Sequence, residues 1–160
     1  MKKFILFISV TISAIALQGQ TKTYSGAWFD IKYPSTFTVK PSLKSATNAN
    51  GYESAFFTSP DKQVEFYVFS PQWSGKATDI ALKTTEKITS TKTETSDNIT
   101  IRWWTITANN GSYTRSYEEK TDNLSNTNRV IGIKYKNQSA FDKYKKQYLA
   151  FKASLVQYAD

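Results

Sequence analysis

Glu118 and Glu119 are the one adjacent pair of carboxylates in the chain. Two carboxylates on one surface could share acid–base work, and a glycosidase-type pair needs them about 5 to 10 Å apart in a cleft. Glu118 and Glu119 fall in a strand-like stretch, where neighbouring side chains point to opposite faces. They are therefore expected to act separately, with Glu119 as a cross-strand partner of Arg102. Trp103 and Trp104 are adjacent and split between faces in the same way. Tyr113, Arg115 and Tyr117 alternate on one strand face. With Trp104 and Arg102 they form an aromatic–basic patch suited to an anionic or aromatic ligand, or to packing under a helix. Trp73 lies in a Pro/Gly-flanked loop, where a large apolar side chain serves either ligand contact or lid packing. The candidate ligand-binding residues are thus Trp73, Trp104, Arg115 and Tyr117.

Other chemistry is excluded by composition. The chain has no His and no Cys. A Ser–His–Asp or Cys–His nucleophile system is impossible without them, as are cysteine–zinc sites and a lipid-modified cysteine anchor. Asp30, Asp61 and Asp79 lack the spacing of a calcium loop. There is no Gly-rich phosphate loop. No catalytic residue, metal or cofactor is expected, and the chain reads as a non-enzyme. Four Asn-x-Ser/Thr sequons, beginning at Asn98, Asn110, Asn123 and Asn137, are attributed to the abundance of Asn, Ser and Thr.

The first 19 residues read as a secretory signal peptide. Lys2 and Lys3 supply a positive start, residues 4–17 are mostly apolar, and Ala14, Ala16 and Gly19 are small. The apolar stretch falls short of the roughly 20 residues a span needs. Cleavage fits after Ala16 or Gly19; Gly19 is preferred and leaves Gln20 first. An uncleaved anchor is the alternative. The charge pattern and small residues suit a bacterial leader and a secreted or periplasmic product, which meets the membrane only through the leader. Of 21 Lys and Arg residues, 19 remain after Lys2 and Lys3, against 13 acidic residues, a balance of +6. Such a surplus favours acidic partners or serves solubility. An envelope protein or a glycan is the expected partner, and no nucleic acid.

The remainder, residues 22–160, reads as one domain. Residues 27–33 and 36–40 alternate as strands, separated by Pro34. Residues 52–58 and 63–70 form a hairpin about Ser59-Pro60-Asp61-Lys62, a type I turn sequence. Val64, Phe66 and Val68 share one face of the second strand, and Tyr67 and Phe69 share the other with Glu65. Apolar residues on both faces imply cover on both sides. Residues 77–88 show helical spacing at Ala77, Ile80, Ala81, Thr84 and Ile88. Residues 89–97 are a loop or a short edge strand. Residues 98–108 and 112–121 form a hairpin about Asn110-Gly111. That turn pairs Ile106 with Arg115, Trp104 with Tyr117 and Arg102 with Glu119, and sets Trp104 diagonal to Arg115 for a cation–π contact. Residues 129–135 are a further strand. A closing helix starts at Ser139, with Asp142 completing a capping-box-like pair, and carries Phe141, Tyr144, Tyr148, Phe151 and Leu155 as one stripe. The fold class is α+β: one antiparallel sheet flanked by helices on both faces, an α/β/α sandwich.

These features resemble the PsbP-like family, named for an extrinsic subunit of photosystem II. The cues are Trp28-Phe29-Asp30-Ile31-Lys32-Tyr33-Pro34, then Tyr67-Val68-Phe69-Ser70-Pro71, then the closing helix. The resemblance spans residues 24–158. It implies an antiparallel sheet between helices and a role in binding or assembly. It carries over no binding residue, and nothing points to photosynthesis.

Overall fold

Alternating apolar and polar residues drive most of this chain into strands. The computed structural model describes residues 20–158; the expected leader, residues 1–19, lies outside the described residues. Ten strands and one α-helix follow in order: β1 (Thr21–Ser25), β2 (Phe29–Pro34), β3 (Thr38–Pro41), β4 (Ser54–Thr58), β5 (Val64–Phe69), β6 (Glu86–Ser96), β7 (Ile99–Ala108), β8 (Thr114–Asp122), β9 (Thr127–Tyr135), α1 (Gln138–Ala153) and β10 (Val156–Gln157). A single 3-10 turn, Thr78–Ile80, lies between β5 and β6.

Seven strands form one antiparallel sheet in the order β3-β4-β5-β9-β8-β7-β6. β1, β2 and β10 form a second, smaller antiparallel sheet, where a single sheet had been expected. β1 is polar and β10 is two residues long, so neither carries the apolar alternation that marks a strand. The larger core lies between α1, β2 and one face of the large sheet. Phe29, Ile31, Phe57, Phe66, Ile133 and Phe151 are buried in it. The two-sided reading of β5 holds: Val64, Phe66 and Val68 enter this core, while Tyr67 and Phe69 enter a second cluster on the opposite face.

The cover over that opposite face differs from expectation. Among the described residues α1 is the one α-helix, so helices do not flank both faces. The helix expected over 77–88 is replaced by the 3-10 turn, an irregular stretch and the start of β6. Two contacts explain this. Arg115 donates to the carbonyls of Ile80 and Ala81, acceptors a helix would spend on its own turns. Ile88 then pairs with Ile106 in the β6–β7 ladder. Residues 89–97 become the edge of the sheet: β6 runs to Ser96, with a bulge between Ile88 and Ser90. Beyond Glu86 every residue of β6 is exposed.

Both hairpins form. Lys62 N donates to Ser59 O at 2.9 Å, closing the expected turn. In the β7–β8 hairpin the expected register holds, with Ile106 opposite Arg115, Trp104 opposite Tyr117 and Arg102 opposite Glu119. The connection is longer than two residues: Ala108 N donates to Tyr113 O, and Gly111 N to Ala108 O. Gly111 has φ +70°, and Asn110 is not among the residues with positive φ. At the start of α1, Asn137 is the N-cap in place of Ser139, and its side chain accepts from Ala140 N at 2.9 Å. Asp142 accepts from Gln138 Nε2 at 2.8 Å.

Candidate functional site

Strand pairing places one row of aromatic residues across the second face. Phe56 stands opposite Tyr67, Tyr67 opposite Gly132, Gly132 opposite Tyr117, and Tyr117 opposite Trp104. The rings touch in sequence: Phe56 to Tyr67 at 4.9 Å, Tyr67 to Tyr117 at 5.9 Å, and Tyr117 to Trp104 at 5.2 Å, the last pair stacked. Gly132 makes the row continuous, because a Cβ there would meet the Tyr117 ring at 2.1 Å. Arg102 lies over the Trp104 ring at 4.9 Å. The cation–π partner of Trp104 is therefore Arg102, where Arg115 was expected; Arg115 lies over Tyr117 at 5.5 Å.

Residues 70–85 cross this row as a lid fixed at three places. Asn128 clamps Gly75, its Oδ1 accepting from Gly75 N and its Nδ2 donating to Gly75 O, both at 2.9 Å. Asp79 accepts from Ser54 Oγ at 2.7 Å and from Tyr67 OH at 2.6 Å. Arg115 supplies the third attachment through the carbonyls of Ile80 and Ala81, at 2.8 and 3.0 Å. Its guanidinium also donates to Glu86, Nε to Oε1 at 2.9 Å and Nη2 to Oε2 at 2.6 Å, and to Tyr117 OH at 3.0 Å. Glu86 takes two further bonds, from Tyr113 OH and from Lys83 N.

This network sets the titration of its members. Burial raises Glu86, and the bonds from Arg115, Tyr113 and Lys83 N outweigh it, leaving the carboxyl at about 2. Burial pushes the Tyr117 phenol up to about 12 against the opposing charge of Arg115. Tyr67 is raised further, by burial first and then by the Asp79 charge.

The structure brings together three of the four candidate residues. Trp104, Arg115 and Tyr117 share the face, but as members of a packed, lid-covered cluster in which Arg115 has its donors engaged. Trp73 stands apart, 42 % exposed near the start of the lid, while Ile80 packs into the cluster. Glu118 and Glu119 point to opposite faces. Glu118 accepts from Trp103 Nε1 and pairs with Lys152 of α1, and Glu119 accepts from Asn128 Nδ2 at 3.1 Å. Arg102 and Glu119 are register partners without forming an ion pair. Among the described residues no three His, Cys, Asp or Glu side chains gather as a metal-binding group.

What lies open on this face is a cleft beside the lid. One part, of about 320 Å³, is walled by Lys40, Lys83 and Lys134, with Phe56 and Tyr113. A second part, of about 380 Å³, shares Glu65, Tyr113 and Lys134 with the first and adds Lys62, Lys136 and Tyr135. These lysines were missed in the sequence. Lys134 had a signal: it continues the Val130–Gly132 alternation onto this face. Lys83 had none, because its position depends on the lid.

No family model matches the chain, and no curated protein matches it by sequence. Among solved structures, the solution structure of cyanobacterial PsbP (CyanoP) from Synechocystis sp. PCC 6803 superimposes with a TM-score of 0.52 at 9% identity, covering 93% of this chain and 98% of that one. At that identity the likeness speaks for architecture alone, and it agrees with the resemblance carried by the local cues: this chain has the PsbP-like α+β fold.

Proposed function

We propose that the chain is an exported, non-catalytic binding domain, and that the lid side of the large sheet is its ligand face. One observation carries this reading. The acids beneath and within the lid are consumed by the fold itself, buried Glu86 by Arg115 and partly buried Asp79 by Ser54 and Tyr67, while lysines and aromatic edges line the open cleft beside them. A carboxylate held near 2 by its own arginine is a poor proton donor or acceptor at neutral pH. The positive balance of the chain adds long-range attraction for acidic partners. Among ligands, an anionic glycan suits this surface better than a neutral one.

Export and binding are tested together. Full-length protein is expressed in a bacterial host, and its N-terminus and compartment are determined. The expected product is envelope-side protein beginning at Gln20. Cytosolic protein with Met1 intact overturns export. The purified protein is then titrated with solubilised envelope from its source cells. Saturable, salt-sensitive capture of one identified component is expected, and a turnover that copurifies with the protein overturns the non-catalytic reading.

A further inference from the structure

The cleft beside the lid has an unbalanced wall. Lys40 comes from β3, Lys62 from the β4–β5 turn, Lys83 from the lid, Lys134 from β9, and Lys136 from just beyond it. These five lysines and Arg115 stand against three carboxylates, Glu65, Asp79 and Glu86, a surplus of three positive charges. Arg115 is spent on Glu86. None of the five lysines forms an ion pair among the described residues. Other lysines of this chain do find acids: Lys92 pairs with Glu94, Lys143 with Asp61 and Lys152 with Glu118. Like charges brought together from four parts of the chain repel one another, so the clustering costs stability in the unliganded protein.

The chemistry of the wall selects the ligand class. The available cations are ammonium groups, compact point charges on flexible stems, and not the planar forks that grip one carboxylate bidentately. Such groups suit anionic substituents spaced along a polymer. Between them stand the Tyr113 ring, with Lys134 4.4 Å above it, and Phe56 at the end of the aromatic row; Tyr135 only borders the cleft, because its ring packs on Phe141 on the other face. Rings beside cations offer flat apolar surface together with charge, which matches a sugar ring bearing an acidic group more closely than a flexible acidic peptide.

We propose that this cleft binds an anionic glycan, a polymer with carboxylate or phosphate groups along a sugar backbone; the proposal rests on the reading of the chain as an exported binding domain. The lid forms one wall, so its clamps on Asn128, Asp79 and Arg115 hold the site open in advance of binding. Little of the binding energy then goes to ordering the protein.

The test titrates the purified protein with four probes: polygalacturonate for carboxylate, a phosphorylated dextran for phosphate, unmodified dextran, and polyglutamate. Binding to at least one charged glycan is expected, weakening as salt rises, with no binding to dextran. The triple variant Lys83→Gln/Lys134→Gln/Lys136→Gln is expected to lose affinity by about tenfold or more. The double variant Lys83→Gln/Lys136→Gln, altered at exposed positions alone, is expected to lose about threefold or more. A control with the same charge change outside the cleft, Lys22→Gln/Lys145→Gln/Lys146→Gln, is expected to stay within about twofold of wild type. Equal losses in the cleft and control triples overturn the site. Polyglutamate bound as tightly as either charged glycan overturns the ligand class. Absence of charged-glycan binding by wild type overturns the proposal outright, while capture of an envelope component by the same preparation would leave the broader binding reading standing.

Discussion

Arg115 and Glu86 meet as a forked ion pair inside the lid-side cluster, with side chains 6 % and 0 % exposed. Residues 29 positions apart are joined at the point where the lid passes into β6. Removing one member strands the other's charge in a buried setting, which costs about 3 to 5 kcal/mol. Arg115→Met is therefore expected to lower unfolding free energy by that order in denaturant titration. Glu86→Gln alone is expected to cost a similar amount, and the double variant Arg115→Met/Glu86→Leu much less than the two single losses combined. Additive losses would show that the pair is not coupled.

The same pair predicts an acid limb in stability. The Glu86 carboxyl sits at about 2 in the folded protein, against an ordinary value of 4.5. Its folded value is lowered, so its contribution is complete above 4.5 and is lost as pH falls from there through about 2. The loss is about 3 kcal/mol over that window. Thermal or urea unfolding of wild type should weaken steeply there. In Glu86→Gln the slope between pH 4.5 and 2 should be shallower; an unchanged slope would assign the limb to other carboxylates.

Gly132 and the Tyr117 ring leave no room for a side chain between them. Gly132→Ala is expected to destabilise by about 3 kcal/mol, the upper range for overpacking. The double variant Gly132→Ala/Tyr117→Leu should recover part of that loss, since Tyr117 supplies the nearest atoms. Chemical denaturation of both variants checks this, and failure of the second change to relieve the first would place the strain elsewhere.

Cap identity separates two readings of one helix start. Asn137 accepts from Ala140 N, so Asn137→Ala should cost about 1 kcal/mol. Ser139 lies inside the first turn of α1, and Ser139→Ala should stay within about 0.5 kcal/mol. Reversal of that order in melting experiments would restore Ser139 as the cap.

Some of this architecture was legible in the residues, for reasons that particular elements make plain. The β7–β8 register was readable although the turn was not two residues long. A symmetric loop centred on Asn110-Gly111 pairs the same residues whether it holds two or four. The two faces of β5 were readable because alternation needs no partner to be seen. The lid was not. Its carbonyls are claimed by Arg115, which lies more than thirty residues further along the chain, and no local pattern records that. Of the candidate site, the aromatic–basic face was found, and of its two readings the packing one describes Arg115 and Tyr117, which lie under the lid instead of a helix, with the open lysines next to them. Asp79 was weighed only as a metal ligand and Glu86 not as a site residue, because an acid's pairing with donors distant in sequence is a tertiary fact.

β6, one of the two edge strands of the large sheet, carries Lys87, Ile88, Lys92 and Glu94 among threonines and serines, and a bulge interrupts its ladder. A border of that kind offers its free backbone groups to solvent while charge and local twist discourage a neighbouring chain from continuing the hydrogen bonding. At high local concentration, copies of this protein should therefore resist zipping together along that border.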